Sequence, residues 1–373
     1  MKRTLFILLI LILMLPSVTF GMDVEADFEN FTERGTVLEA SEIRDSEYEY
    51  FRVQDVLVRI DSGKHKGEEV MIKNELSDHQ YYDIIVSKGQ KVLLMIEEFP
   101  DGEYNVYIAD YYRTNQLIYL VIAFMLFVIA IGGIKGIKSL ISLGITVSAI
   151  LFVMLPLMLR GINPILVSVV TAVLVTIVTI VLVSGINHKS FAAISGTSIG
   201  VIIAGLIAFY VGNKAYLSGL SAEEATMLMY IPQGIEFNFR HLLFAGIIMG
   251  ALGAAMDVGI SIASSIDEIH KANPKLSRAR LFRSGMNVGK DVMGTMVNTL
   301  ILAYTGSSIP MLLLFMAYET ELSKVFNLDV VATEVVRSMA GSIGLILTIP
   351  ITAFIASYLI KEKKKDISRE EKA

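Results

Sequence analysis

Cysteine is absent from this 373-residue chain. Disulfides, thiolate metal sites, cysteine nucleophiles and a lipobox-type lipid anchor are excluded together. Histidine is scarce, and His65, His79, His188, His241 and His270 are scattered with no His-Glu-x-x-His or His-x-x-His pairing. A zinc enzyme does not fit that spacing, and no metal or other cofactor is expected. Gly-x-Ser-x-Gly occurs only as Gly196-Thr-Ser-Ile-Gly200, inside an apolar run long enough to span a membrane and not at the strand-to-helix turn of a serine-hydrolase elbow. The run Gly285-Met-Asn-Val-Gly-Lys-Asp291 glances at a phosphate loop, but Ser284 stands where the first glycine belongs and Asp291 replaces the magnesium-binding Ser or Thr. Asp257 and Asp291 lie on neighbouring helices, as an aspartyl protease dyad would, yet their contexts, Ala-Met-Asp and Gly-Lys-Asp, match neither half of that signature, and Asp291 stands at the edge of its span. The chain is therefore read as a non-enzyme. No stretch interleaves aromatic and basic residues, so no nucleic-acid partner is expected.

What is present is apolar: 54% of residues are hydrophobic, in runs longer than a soluble core helix needs. That composition defines a polytopic α-helical membrane protein whose first partner is the lipid bilayer. Residues 1–22 carry Lys2-Arg3, an apolar stretch from Leu5 to Leu15, then Pro16 and small or polar residues. This is the layout of a signal peptide or signal anchor, with a cut after Gly21, and it sends the residues beyond it out of the cytoplasm.

Residues 23–115 have another texture. Strand-like runs at Arg34–Glu39, Phe51–Ile60, Glu68–Lys73, Gln90–Ile96 and Glu103–Ala109 are separated by Asp61-Ser-Gly63, Lys66-Gly67, Lys88-Gly89 and Asp101-Gly102. A small β-rich extracytoplasmic domain of OB or SH3-like barrel type fits that pattern. It carries 22 acidic and 10 basic residues, whereas the rest of the chain carries 15 acidic and 22 basic. The acidity keeps an exported domain soluble, or meets a cationic or protein partner outside the cell.

Seven apolar segments occupy 116–360: Gln116–Ile134, Ile137–Leu159, Pro164–Ser184, Phe191–Val211, His241–Ile266, Val292–Ala317 and Val330–Ile360. With the N-terminal domain outside, the cytoplasmic connections and the charged tail (361–373) hold 15 Lys and Arg, against 4 in the opposite connections. The positive-inside bias thus agrees with the signal segment, placing the C-terminus in the cytoplasm of a multi-pass cell-membrane protein. Ser221-Ala-Glu-Glu224 reads as a capping box opening a short external helix. Ser277–Phe282 reads as a short basic helix at the cytoplasmic headgroups.

Asp257 stands out, because a carboxylate within a membrane span costs a few kcal/mol and usually faces protein or water. With Ser261, Ser264 and Glu268 it forms a stripe at helical spacing; Asp291, Thr295 and Asn298 form a second on the next span. The two stripes are expected to face each other. Gly246, Gly250, Gly253 and Ala254 offer the contrasting reading, a close-packing face on which polar residues serve as glue. On the seventh span Glu334 and Arg337, one turn apart, form a local ion pair. The fourth span's Gly196-Thr-Ser-Ile-Gly200 echoes the seventh's Gly341-Ser-Ile-Gly344, as in an inverted repeat.

The stretches Gly250-Ala-Leu-Gly-Ala-Ala-Met-Asp-Val-Gly-Ile-Ser-Ile-Ala-Ser-Ser-Ile-Asp-Glu-Ile269 and Arg283-Ser-Gly-Met-Asn-Val-Gly-Lys-Asp-Val-Met-Gly-Thr-Met-Val-Asn-Thr-Leu-Ile-Leu-Ala-Tyr304 resemble the YibE/F-like family of bacterial multi-pass membrane proteins. The resemblance implies a bacterial plasma-membrane location and brings no established activity with it. It also implies that Asp257, Asp291, Thr295 and Asn298 belong to the family signature, with Lys290 where an arginine is expected.

Two functional readings remain. In one, the protein is a secondary transporter or permease for an ion or small solute, using Asp257, Ser261, Asp291, Thr295 and Asn298, with Glu268, Glu334 and Arg337 as secondary candidates. In the other it is a non-transporting scaffold or sensor whose exported domain, 23–115, binds an external protein. Substrate and oligomeric state are not written in the sequence.

Overall fold

A computed structural model of the chain describes residues 29–45, 52–77, 79, 83–231, 237–319 and 321–360. The expected signal segment and charged tail lie outside these residues. The chain divides into two compact units, β-rich and helical, with the division at Val128.

In the β-rich unit the strands are β1 (Glu29–Ala40), β2 (Arg44–Asp45), β3 (Arg52–Ile60), β4 (Glu69–Leu76), β5 (Lys91–Glu98) and β6 (Tyr104–Tyr111). All pairings are antiparallel, with β4 and β2 on β3, then β3 on β1, β1 on β5 and β5 on β6. Strict alternation builds the core: Val92, Leu94 and Ile96 of β5 point inward beside Val56, Val58 and Ile60 of β3, while their sequence neighbours are accessible. Register shifts at Val37/Glu39 and Leu93/Leu94 mark bulges that bend the sheet. The end strands β4 and β6 come close without hydrogen bonding to each other, so the sheet is a half-barrel with an open seam. The glycines of the four expected turns, Gly63, Gly67, Gly89 and Gly102, all adopt positive φ, which glycine tolerates best.

Among the described residues ten α-helices come next: α1 (Thr114–Ala149), α2 (Leu155–Leu159), α3 (Pro164–Ser184), α4 (His188–Lys214), α5 (Glu223–Met227), α6 (Phe239–Ala272), α7 (Arg278–Ser307), α8 (Ile309–Ala317), α9 (Leu322–Phe326) and α10 (Asp329–Leu359). A π-helical turn, Ile150–Met154, joins α1 to α2. Starts follow local chemistry. Asn163 accepts from the backbone of Ile165 and Leu166 ahead of α3, Asn187 from Ser190 ahead of α4, and Asn238 from His241 ahead of α6. At the start of α10, the Ser218 hydroxyl and backbone N–H both donate to Asp329.

Among the described residues five helices are long and apolar enough to cross a membrane, or six when α7 and α8, bent by 59° at their junction, count as one. The difference from the expected seven lies in α1, into which the first two expected spans merge. It breaks at Gly133, with φ 52° and ψ −132°. A Cβ on Gly136 would stand 2.2 Å from the Val128 carbonyl oxygen. Residues eight apart in a straight helix are separated by about 12 Å along the axis, so the chain turns back sharply there.

Two further expectations are corrected. The short helix expected after Ser221 starts at Glu223 behind Ala222, with no side-chain cap, so Ser221 does not form a capping box. The basic segment Ser277–Phe282 is no separate helix: residues from Arg278 onward are the first turns of the continuous α7.

The helical body is centred on α4, α6 and α10. Gly196 packs on Thr352, Gly200 on Thr348 and Gly344 on Ala204, numbers that rise on α4 as they fall on α10. The pair is antiparallel, and the two echoing glycine motifs meet there through Gly200 and Gly344, while Gly341 faces Ala251 and Leu300. Small residues let the backbones approach: a Cβ on Gly344 would lie 2.7 Å from the Gly200 carbonyl oxygen. Gly259 of α6 closes against Thr197, whose hydroxyl donates to the Ala255 carbonyl at 3.3 Å.

Candidate functional site

The expected stripes lie on α6 and α7. Their shared interface is apolar: Gly285 receives Ile266, and Gly289 lies against Ile349 of α10 and, farther off, Ile262. Interpolating between the pairs Gly289–Ile262 and Tyr304–Gly250 sets Asp257 level with about Gly294 to Val297, within a turn of Asn298. Depth is therefore shared, but orientation differs from expectation. Asp257, Ser261 and Glu268 on α6, and Asp291, Thr295 and Asn298 on α7, are all exposed; the stripes flank the contact instead of facing each other across it. The reason is steric, because two glycines admit branched isoleucines and bring the backbones closer than a polar layer would.

The partners of these side chains are few. Among the described residues Asp257, Asp291 and Asn298 have no hydrogen-bond or ion-pair partner. The Thr295 hydroxyl donates to the Val292 carbonyl at 3.0 Å. The Ser261 carbonyl accepts from Ser265. Glu268 pairs with Lys271 at 2.8 Å, and Asp267 pairs with the same lysine. Glu334 and Arg337 form the expected local pair at 2.8 Å, half-buried on α10, with one Glu334 oxygen left unpartnered.

A second polar constellation, in the β-rich unit, was not anticipated. His65 is buried in the turn before β4, with Nδ1 3.2 Å from Glu68 and Nε2 3.8 Å from Glu98. The Tyr104 ring lies over it, centroid to centroid 4.1 Å, while the Tyr104 hydroxyl donates to Glu68 and Lys64 donates to Glu98. The Tyr104 hydroxyl, then the His65 ring, hold Glu68 below the usual carboxylate range. Lys64 does the same for Glu98. The Glu68 hydrogen bond pushes Tyr104 up to about 12. The spacing His65-x-x-Glu68 was visible in the sequence, but Glu98 and Tyr104 reach it only through strand pairing. Among the described residues no three His, Cys, Asp or Glu side chains are grouped to hold a metal ion.

A curved β-domain followed by long apolar helices, one with an unpartnered carboxylate on its open face, defines the class: a protein with the makings of a multi-pass membrane protein. Comparison with family models then identifies it. Residues 120–362 match the YibE/F-like protein model and residues 33–111 match the YibE/F family N-terminal domain. The chain belongs to the YibE/F-like family. No curated protein and no solved structure matches it.

Proposed function

We propose that the protein is a plasma-membrane transporter or permease for an ion or small solute, with its β-domain outside, seven crossings and its C-terminus in the cytoplasm. The seventh crossing comes from counting α1 as two spans at the Gly133 break. The single observation that carries the reading is Asp257, a carboxylate midway along an apolar 34-residue helix, accessible and, among the described residues, unpartnered in its own chain. A group so placed is costly in hydrocarbon and useful beside a water-filled route. In this reading Asp257 exchanges a proton or binds a cation, Ser261, Thr295 and Asn298 supply neutral ligands, and Asp291 and Glu268 line the cytoplasmic mouth. Glu334 and Arg337 are secondary.

The test is flux. Purified protein in liposomes is expected to move protons or a monovalent cation, and Asp257→Asn, which keeps size and hydrogen bonding but not the exchangeable charge, is expected to insert normally and lose that flux. Full flux in Asp257→Asn would sink the proposal.

The second reading, a scaffold or sensor, draws on the acidic β-domain and its His65–Glu68–Glu98–Tyr104 cluster. It expects no flux, an external protein partner co-isolated through residues 23–115, and loss of that partner when the β-domain is altered.

A further inference from the structure

The open face of α6 runs through Gly246, Gly250, Gly253, Asp257, Ser261 and Glu268, and no large apolar side chain of this helix is exposed. On α7 the only one is Leu302. The other long apolar helices of the body differ: α3 exposes Leu166 and Leu174, α4 exposes Leu206 and Phe209, α10 exposes Met339 and Phe354. Bulky apolar groups suit hydrocarbon, and a stripe of glycine, serine and carboxylate does not. Something other than lipid therefore covers the α6–α7 face. A Cβ at Gly246, Gly253 or Gly294 would meet nothing within 4 Å, so the face is flat and open to close approach by another backbone.

The cover must also supply donors to Asp257. The first part of α1 offers a single donor, since between Leu117 and Ile131 only Tyr119 carries a hydrogen-bonding side chain. A second copy of this chain offers several. It brings Ser261, Thr295 and Asn298 to nearly the same depth, and Lys290, about one turn away, has no ion-pair partner in its own chain among the described residues and carries the complementary charge.

We propose that the α6–α7 face is the two-fold interface of a homodimer, in which Asp257 of each copy is met by the polar side chains of the partner's α7, Lys290 foremost. A two-fold contact is self-complementary, so one face carrying both an acid and a base suffices. The inference rests on the membrane reading and is independent of whether the protein transports.

The absence of cysteine makes the test direct, because a single introduced cysteine can form a disulfide only with another copy. Gly246→Cys, Gly253→Cys and Gly294→Cys are made one at a time in the full chain and treated with a mild oxidant in native membranes. At least one is expected to yield a disulfide-linked dimer, severalfold more abundant than from Leu206→Cys on the outward face of α4. Absence of dimer from all three, or equal dimer from Leu206→Cys, would overturn the proposal. So would an intramolecular disulfide in the Gly253→Cys/Phe124→Cys double variant, which would show α1 covering the face. Liposome flux is read separately, so crosslinking without flux would fault the transport reading alone, and flux without crosslinking the dimer alone.

Discussion

Replacing Gly344 by alanine adds one methyl group at the tightest crossing in the helical body. Its Cβ would stand 2.6 Å from the Ala204 Cβ and 2.7 Å from the Gly200 carbonyl oxygen. Neither obstacle is the end of a flexible side chain, so the helices themselves must yield. Optimal contacts lie at about 3.5–4.0 Å, which requires α4 and α10 to part by on the order of 1 Å. A gap of that size forfeits roughly a quarter to a half of the attraction of each contact along the crossing. Overpacking of this kind costs about 1–3 kcal/mol, and a backbone obstacle argues for the upper end. Against it, alanine in a helix interior is favoured over glycine by about 0.5–1 kcal/mol. The net expectation is a loss of about 2 kcal/mol, or about 4–8 °C in melting midpoint for a helical body of this size. The assay is the fraction remaining monodisperse in detergent after heating, with Gly144→Ala as control, since nothing lies within 4 Å of a Cβ there. That control is expected to be neutral or slightly stabilised. A Gly344→Ala protein melting at or above the control would refute the packing argument. Gly200→Ala presses on the same crossing, through the Gly344 carbonyl at 2.8 Å, so the double variant should lose less than the sum of the singles.

Other expectations come from the β-domain and the topology. Glu68 is held below its ordinary value of 4.5 when folded, so its contribution to stability is present above that value and lost as pH falls through the depressed one. Tyr104→Phe should accordingly lower the melting midpoint at neutral pH, with the gap to the parent closing at acid pH; a gap constant with pH would count against the Tyr104–Glu68 bond. Tyr104 itself titrates upward from 10.0 to about 12, so its share is present below the lower value and fades between the two. A periplasm-type reporter should be active when fused after Arg113 and silent after Lys365; the reverse would overturn the topology. A cysteine introduced at Asn273 should resist labelling from outside intact cells, and efficient labelling would misplace the connection between α6 and α7.

Legibility in the sequence tracked the length of the pattern. The five main strands were readable because Val92, Leu94 and Ile96 alternate with accessible neighbours over a whole strand. The helices were readable from apolar runs. The break between the first two spans was readable from Lys135 and Lys138, which divide Gln116–Ile134 from Ile137–Leu159, and only the backbone places it at Gly133. The start of α7 was read only in part: Ser277–Phe282 was legible as a short helix, but that it runs on without a break through Asp291, with Gly285 on α6 and Gly289 against α10, was not. Helix faces were the least legible. On α4 and α10 the packed side is mostly Gly, Ala, Ser and Thr with a few Val, Leu and Ile, which hydropathy does not separate from the outward side. The glycine echo between Gly196–Gly200 and Gly341–Gly344 was legible as a resemblance of sequence, and only the antiparallel crossing shows that the two motifs meet. The polar stripes were legible by spacing, but which way they turn depends on Ile262, Ile266 and Ile349 packing at the two glycines of α7.

That steric detail bears on chemistry as well as packing. Helix α6 has one side on α4, through Phe244, Ile248 and Gly259, and another on α7, through Ile262 and Ile266. On both sides α6 itself contributes apolar groups or glycine, and the one polar contact there is the Thr197 hydroxyl on the Ala255 carbonyl. If Asp257 were only glue for its own chain, it would be expected in one of those contacts, bonded to a donor. It is on the remaining side, where the described residues supply it with none. The carboxylate therefore acts on whatever lies beyond that face, a second copy, a hydrated route, or both where two copies meet around water. Such an arrangement would put two carboxylates near one axis at the same depth. Like charges that close cannot both remain ionised without a shared proton or a cation between them, either the partner's Lys290 or an ion in transit. The dimer and the transport reading, tested separately, would then describe one piece of chemistry.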